Sequence, residues 1–294
     1  MPTTPLDAAA WVDAGDLPLL ARGIVEGMLS GLHRSPYVGY GREFSSYRPY
    51  AQGDSLRHVD WKVWSRTDTW YVKQFEDETN LIGRVFLDAS GSMDTGEKNK
   101  FQCGRLLAAA LAYLMIVQRD APGLVVWNES HLDYLPPRNS KQQMELWATL
   151  SQATPTGNAT LPGTLRHLLE GVTRRGLAVI ISDFLAEDGE AIELCETMTH
   201  HRQEVVAFQI LSPEECDLSL EGNVILVDSE TGEERLVEPE TARREYKEQL
   251  EAHCASVQKR CWNAGVDYHR LRSDEPVEDA LRAYLLKREQ LPVA

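Results

Sequence analysis

Apolar positions fall along this chain in two rhythms. Leu20, Ile24, Met28 and Leu32 recur at helical spacing, so the first amphipathic helix is expected over 17–32. Short apolar runs bounded by polar and glycine residues predict strands over 85–87, 122–127, 177–185, 204–211 and 266–271. Between them lie helical patterns over 100–119, 141–152, 161–174 and 189–202. The 100–119 segment has a wide apolar face of Leu106, Leu107, Ala110, Leu111, Leu114 and Val117, which predicts burial against a sheet. A short strand over 132–135 can return antiparallel before Pro136-Pro137. Residues 212–222 read as a loop, and 224–228 and 234–237 flank a hairpin turn. A charged helix over 241–264 stops at Gly265, and a final helix covers 277–289. Strands alternating with helices predict an α/β fold: a mostly parallel, Rossmann-like sheet flanked by helices, with its ligand crevice at the carboxyl ends of the strands.

The 33–73 segment breaks this rhythm. It is rich in aromatics and glycines and carries seven Arg or Lys against four Asp or Glu. Residues 70–75 alternate in the manner of a strand. The expected organisation is a tail and helix over 1–32, a basic aromatic β-rich element over 33–80, and an α/β domain over 81–290. The arginines can pair with Glu43, Asp54 and Asp60 and stack on aromatic rings, which fixes a small subdomain. Alternatively the element is a docking surface, with Arg42, Arg48, Arg57, Trp61 and Arg66 as its anchors.

Candidate chemistry collects at strand ends. The 85–87 strand runs into Asp88-Ala89-Ser90-Gly91-Ser92, which offers a carboxylate and two hydroxyls at alternate positions. These are oxygen ligands, suited to Mg²⁺, Mn²⁺ or Ca²⁺ rather than zinc. Thr160 precedes a helix, and Asp183 follows an apolar strand. Each residue also has an ordinary reading: Asp88 and Asp183 as turn caps, Thr160 as a helix N-cap. In a doubly wound sheet, however, all five can reach one edge.

Asp88-x-Ser90-x-Ser92 with a distant Thr160 and Asp183 resembles the metal-ion-dependent adhesion site of von Willebrand factor A domains. Further upstream stand Gly39-x-Gly41-Arg42-Glu43-Phe44 and Arg48-x-Tyr50-x-x-Gly53-Asp54-x-x-Arg57-x-x-Asp60-Trp61. Together with the Asp88 loop they resemble the bacterial domain of unknown function 58 family, in which such a segment precedes a von Willebrand A-like domain. The likeness covers about residues 31–290. Where that family commonly carries Ala-Arg, this chain has Ser65-Arg66. The resemblance implies a von Willebrand A-type core, a divalent cation, Mg²⁺ above all, and a partner that completes the ion's shell with an acidic residue. It also implies work alongside a MoxR-type AAA+ ATPase in chaperone-like maturation or assembly.

Net charge narrows the partners. At −15, with a pI of about 5.0, the chain lacks the cationic surface that nucleic-acid binding needs. No membrane span or secretory leader is expected from the sequence. Five scattered cysteines without a Cys-x-x-Cys spacing suit free thiols in a reducing, cytoplasmic setting. The expected function is non-enzymatic, because no acid, base and nucleophile cluster in the sequence. The alternatives are a metal-dependent phosphohydrolase or phosphotransferase using Asp88, and a scaffold whose loop holds no metal.

Overall fold

The computed structural model describes residues 17–31, 44–49, 63, 64, 66, 70–75, 81–138, 143–158, 160, 161, 163–186, 189–217, 224–227, 234–237 and 239–289. Six strands form the central sheet: β3 (Ile82–Asp88), β4 (Ala121–Trp127), β5 (Leu132–Leu135), β6 (Leu177–Ser182), β7 (Glu204–Leu211) and β10 (Asp267–Arg272). Their spatial order is β10-β7-β6-β3-β4-β5, with every neighbouring pair parallel except β4 and β5. Numbered by first appearance within the sheet, this is the doubly wound order 3-2-1-4-5-6 read from its far edge. The expected Rossmann-like α/β architecture, a mostly parallel sheet flanked by helices, is therefore present. The order reverses between β3 and β6, so the crevice opens at the carboxyl ends of those two strands.

The chain also forms the helices α1 (Leu17–Gly31), α2 (Lys100–Val117), α3 (Gln143–Gln152), α4 (Gly163–Glu170), α5 (Glu190–His200), α6 (Pro213–Asp217), α7 (Pro239–Asn263) and α8 (Val277–Glu289). They divide by strand parity. Val85, Leu87, Val179 and Ile181 join α1, α2, α3 and α8 in one core. Phe86, Val125, Trp127, Ala178 and Ile180 join α4, α5 and α7 in the other. Successive side chains on a strand face opposite ways, so a central strand buried on both sides must be apolar at nearly every position.

Helix α2 is buried nearly all round rather than on one face, because α1 packs along it opposite the sheet. By length and composition it could cross a membrane; 78% of that window is buried inside the domain. Val117, expected inside, is 46% exposed in the helix's last turn. Gly104 lets α2 sit close to the sheet: a Cβ there would come 3.2 Å from both Leu87 and Ile181.

Other boundaries shift. Helix α4 is shorter than the 161–174 pattern, giving way to a turn at Gly171. Residues 213–217, read as loop, form α6. Two small antiparallel pairs stand apart from the main sheet: β1 (Phe44–Pro49) with β2 (Tyr71–Phe75), and β8 (Val224–Val227) with β9 (Glu234–Val237). The β8–β9 pair is the expected hairpin. Cys254 and Cys261 are core residues, as expected, and the five cysteines are free.

Candidate functional site

The site begins at Asp88, the last residue of β3, which is fully buried. Its Oδ1 accepts the Ser90 amide at 2.9 Å, which turns the chain sharply off the strand. Its Oδ2 accepts the Ser182 hydroxyl at 2.6 Å. One 3₁₀ turn, Gly91–Met93, follows. The Ser90 and Ser92 hydroxyls lie 3.1 Å apart, and buried Met93 anchors the turn. The loop thus climbs from a buried carboxylate through buried Ser90 to exposed Ser92.

A second loop is sewn onto the first. The Thr156 amide donates to the Ala89 carbonyl at 2.8 Å, and the Gly91 amide to the Gly157 carbonyl at 2.7 Å. Gly157 adopts φ +67°, a left-handed conformation that suits glycine. Buried Asn128 donates to Thr156 Oγ1 at 3.0 Å, and the Glu129 amide donates to the Asn158 carbonyl at 2.9 Å. Thr160 follows, exposed, on the segment that enters α4. Beyond it Leu161 is buried, and its amide donates to the Glu190 carboxylate on α5. Thr160 thus lies between Asn158 and Leu161, each tied by a hydrogen bond through its backbone.

Asp183 lies just past β6, also fully buried. Its Oδ1 accepts the Leu185 amide at 3.1 Å, and its carbonyl accepts from Gln209 at 2.7 Å. Phe184 takes φ +57°, unusual for a bulky residue. Its amide donates to Ser182 Oγ at 3.0 Å, and its buried ring packs in the core. The Ser182 hydroxyl thus links the two strand ends.

Opposite Asp183 stands a residue the sequence reading passed over. Lys100, the first residue of α2, is fully buried with its Nζ 2.9 Å from Asp183 and 2.5 Å from Glu215 of α6. Burial alone would lower the amine's pKa, yet the two carboxylates hold it above its ordinary value. Glu215 is fixed in turn by a capping box. Its carboxylate accepts the Ser212 amide at 2.8 Å, while its own amide donates to Ser212 Oγ at 3.1 Å. Signals for both were present: Ser212-Pro213-Glu214-Glu215 is a helix-start pattern, and a lysine opposes the dipole at a helix N-terminus.

Burial, and then the neighbouring charge of Asp183, push the Asp88 carboxyl up to about 7, against the hydrogen bonds from Ser182 and Ser90. Three carboxylates, Asp88, Asp183 and Glu215, meet one ammonium here. When all are ionised the cluster carries two negative charges in excess. No group of three or more His, Cys, Asp or Glu suited to a metal occurs among the described residues; the Asp88 loop itself offers one carboxylate and the Ser90 and Ser92 hydroxyls.

The other predicted residues fare differently. Arg42, Arg57 and Trp61 lie outside the described residues, Arg48 falls on β1, and Arg66 is exposed.

The profile of a family described as "Protein of unknown function DUF58" matches residues 46–256, well over half of the chain. The chain belongs to the DUF58 family. This DUF58 chain is 29% identical over 265 residues to the uncharacterized protein Rv1480 of Mycobacterium tuberculosis, an alignment covering 88% of the chain and 83% of that relative. The uncharacterized protein Mb1516 of Mycobacterium bovis is similar to the same extent. Among solved structures, an aerotolerance-related membrane protein from Bacteroides fragilis aligns at TM-score 0.44 and 18% identity, over 71% of this chain and 98% of its own. The SpRpn10 VWA domain aligns at TM-score 0.43 and 11% identity, over 68% and 94%.

Proposed function

We propose that this DUF58 chain is a divalent-metal-dependent protein-binding module without catalytic activity of its own. Supporting the reading above all is the Asp88 loop: a buried carboxylate and a Ser90–Ser92 hydroxyl pair rise to the surface at the point where the strand order reverses. Asp88, Ser90, Ser92, Thr160 and Asp183 are the residues that would hold the ion. Two excess negative charges suit one divalent cation, and the oxygen-only donors suit Mg²⁺, with Mn²⁺ or Ca²⁺ as substitutes. The hydroxyls are neutral, so a bound ion would keep electrophilic character toward one more oxygen. A partner's Asp or Glu would supply it. The family resemblance suggests a MoxR-type AAA+ ATPase as the partner and chaperone-like maturation or assembly as the setting.

A phosphoryl-transfer role for Asp88 is less well supported, because the buried Lys100 ammonium pairs with Asp183 and Glu215 rather than with Asp88, leaving no cation beside it among the described residues to stabilise a transferred phosphoryl group. One observation favours a metal-free scaffold instead: the Lys100 ammonium already gives Asp183 a positive partner. Calorimetric titration with Mg²⁺ and Mn²⁺ separates these readings. Saturable binding by wild type that is lost in Ser90→Ala supports the module. Its absence in wild type supports the scaffold. Pull-downs of a purified candidate ATPase with Mg²⁺ or EDTA, using the same pair of proteins, then test the docking step.

A further inference from the structure

We propose that Lys100 is the site's internal cation, a specificity-determining residue that makes a divalent ion, rather than one of higher charge, the matching occupant. The inference rests on the metal-binding reading above. Lys100 stands where helix chemistry disfavours it: a cation in the first turn of α2 meets the positive end of the helix dipole. Its side chain is fully buried, so water does not stabilise the charge. Two carboxylates do so instead, Asp183 at 2.9 Å and Glu215 at 2.5 Å. The first belongs to the proposed ligand set. The second is delivered by α6, whose capping box fixes its carboxylate in place.

The consequence is arithmetic. With Lys100 charged and all three carboxyls ionised, Asp88, Asp183 and Glu215 leave two negative charges for a metal to neutralise. Without it they leave three, which suits a trivalent ion. Without Glu215 they leave one, which underfills a divalent ion. Charge interactions are strong where water is excluded, so one unit changes the balance between ions of different charge by a large factor. Lys100 also occupies Asp183 Oδ2 directly, which confines that oxygen to its present direction.

Terbium(III) and Mg²⁺ are suitable probes. Trp127 pairs with Asp88 across β3 and β4 and would serve as the donor for sensitised terbium luminescence. Titrations would compare wild type, Lys100→Met, Lys100→Arg and Glu215→Gln, each checked for native circular dichroism. Gln at 215 can still accept the Ser212 amide, so α6 keeps its cap. Lys100→Met is expected to shift selectivity toward terbium over Mg²⁺ by at least about tenfold. Glu215→Gln should weaken Mg²⁺ by about as much, and Lys100→Arg should resemble wild type. Parallel weakening of both ions in Lys100→Met and Glu215→Gln would mean that the triad only holds the fold, and would overturn the proposal. Should Lys100→Met fail to fold, unchanged Mg²⁺ affinity in Glu215→Gln overturns it equally. If wild type binds neither ion, it is the metal reading that fails, and the inference falls with it.

Discussion

Replacing Asp88 with Asn should stabilise the metal-free protein at neutral pH, although it removes a residue at the centre of the site. Asn is isosteric: its oxygen can accept the Ser90 amide, and its NH₂ can donate to Ser182 Oγ. What it removes is the cost of a buried anion. Folding moves the Asp88 carboxyl from 3.8 to about 7, through burial first and the Asp183 charge second. At about 1.4 kcal/mol per pH unit this amounts to about 4 kcal/mol. Below about pH 4 both folded and unfolded chains hold the proton, and the full stability is present. Between 4 and 7 only the folded chain holds it, so wild-type stability falls as pH rises; above 7 the loss is complete. Urea denaturation in EDTA between pH 5 and 8.5 measures this as the gap between variant and wild type. The gap should widen from pH 5 to 7 and then level off. Saturating Mg²⁺ at about a hundred times its Kd should return about 2.7 kcal/mol to wild type and nothing to the variant. A gap that does not change with pH, or a variant weaker than wild type at pH 8, would refute the reasoning.

Three further outcomes are expected. Ser90→Ala loses the 3.1 Å contact with Ser92 and the hydroxyl's hydrogen bond to Asp88, so in EDTA it should cost about 1–2 kcal/mol, while the Mg²⁺-induced rise in Tm disappears; an intact rise would exclude that hydroxyl as a ligand. Asn128→Ala breaks the tie to Thr156 and the turn that Asn128 Oδ1 holds through the Ser130 and His131 amides; it should cost about 2–3 kcal/mol in thermal denaturation and weaken Mg²⁺ binding, because the Thr160 loop loses its anchor. A Cβ at Gly176 would overlap the Ile82 carbonyl oxygen, whereas one at Gly83 meets the end of the flexible Met115 side chain; Gly176→Ala should therefore lose several times more stability than Gly83→Ala in parallel urea melts.

Local chemistry wrote much of this protein into its sequence. The strands of the sheet are legible because a strand covered on both faces must be apolar at nearly every position, and 177–182 and 204–211 are. The Asp88 loop is legible because its residues are consecutive and its chemistry is local. Helix α6 was legible too, in Ser212-Pro213-Glu214-Glu215, yet its five residues are too few for a periodic apolar stripe to mark it. What only the tertiary structure decided is which distant residues meet. Lys100 and Glu215 lie 115 positions apart, and Ser182 reaches Asp88 across 94. Nothing local to either member of those pairs specifies the other. Lys100 heads a helix where its charge reads as solvated, until the sheet brings Asp183 and α6 around it. The same holds for the two sides of the site. Strand parity places Asp88 and Ser182 on one face, and the parallel pairing of β3 with β6 makes them neighbours. Pairing order is a property of the whole sheet, and the strand sequences alone do not encode it.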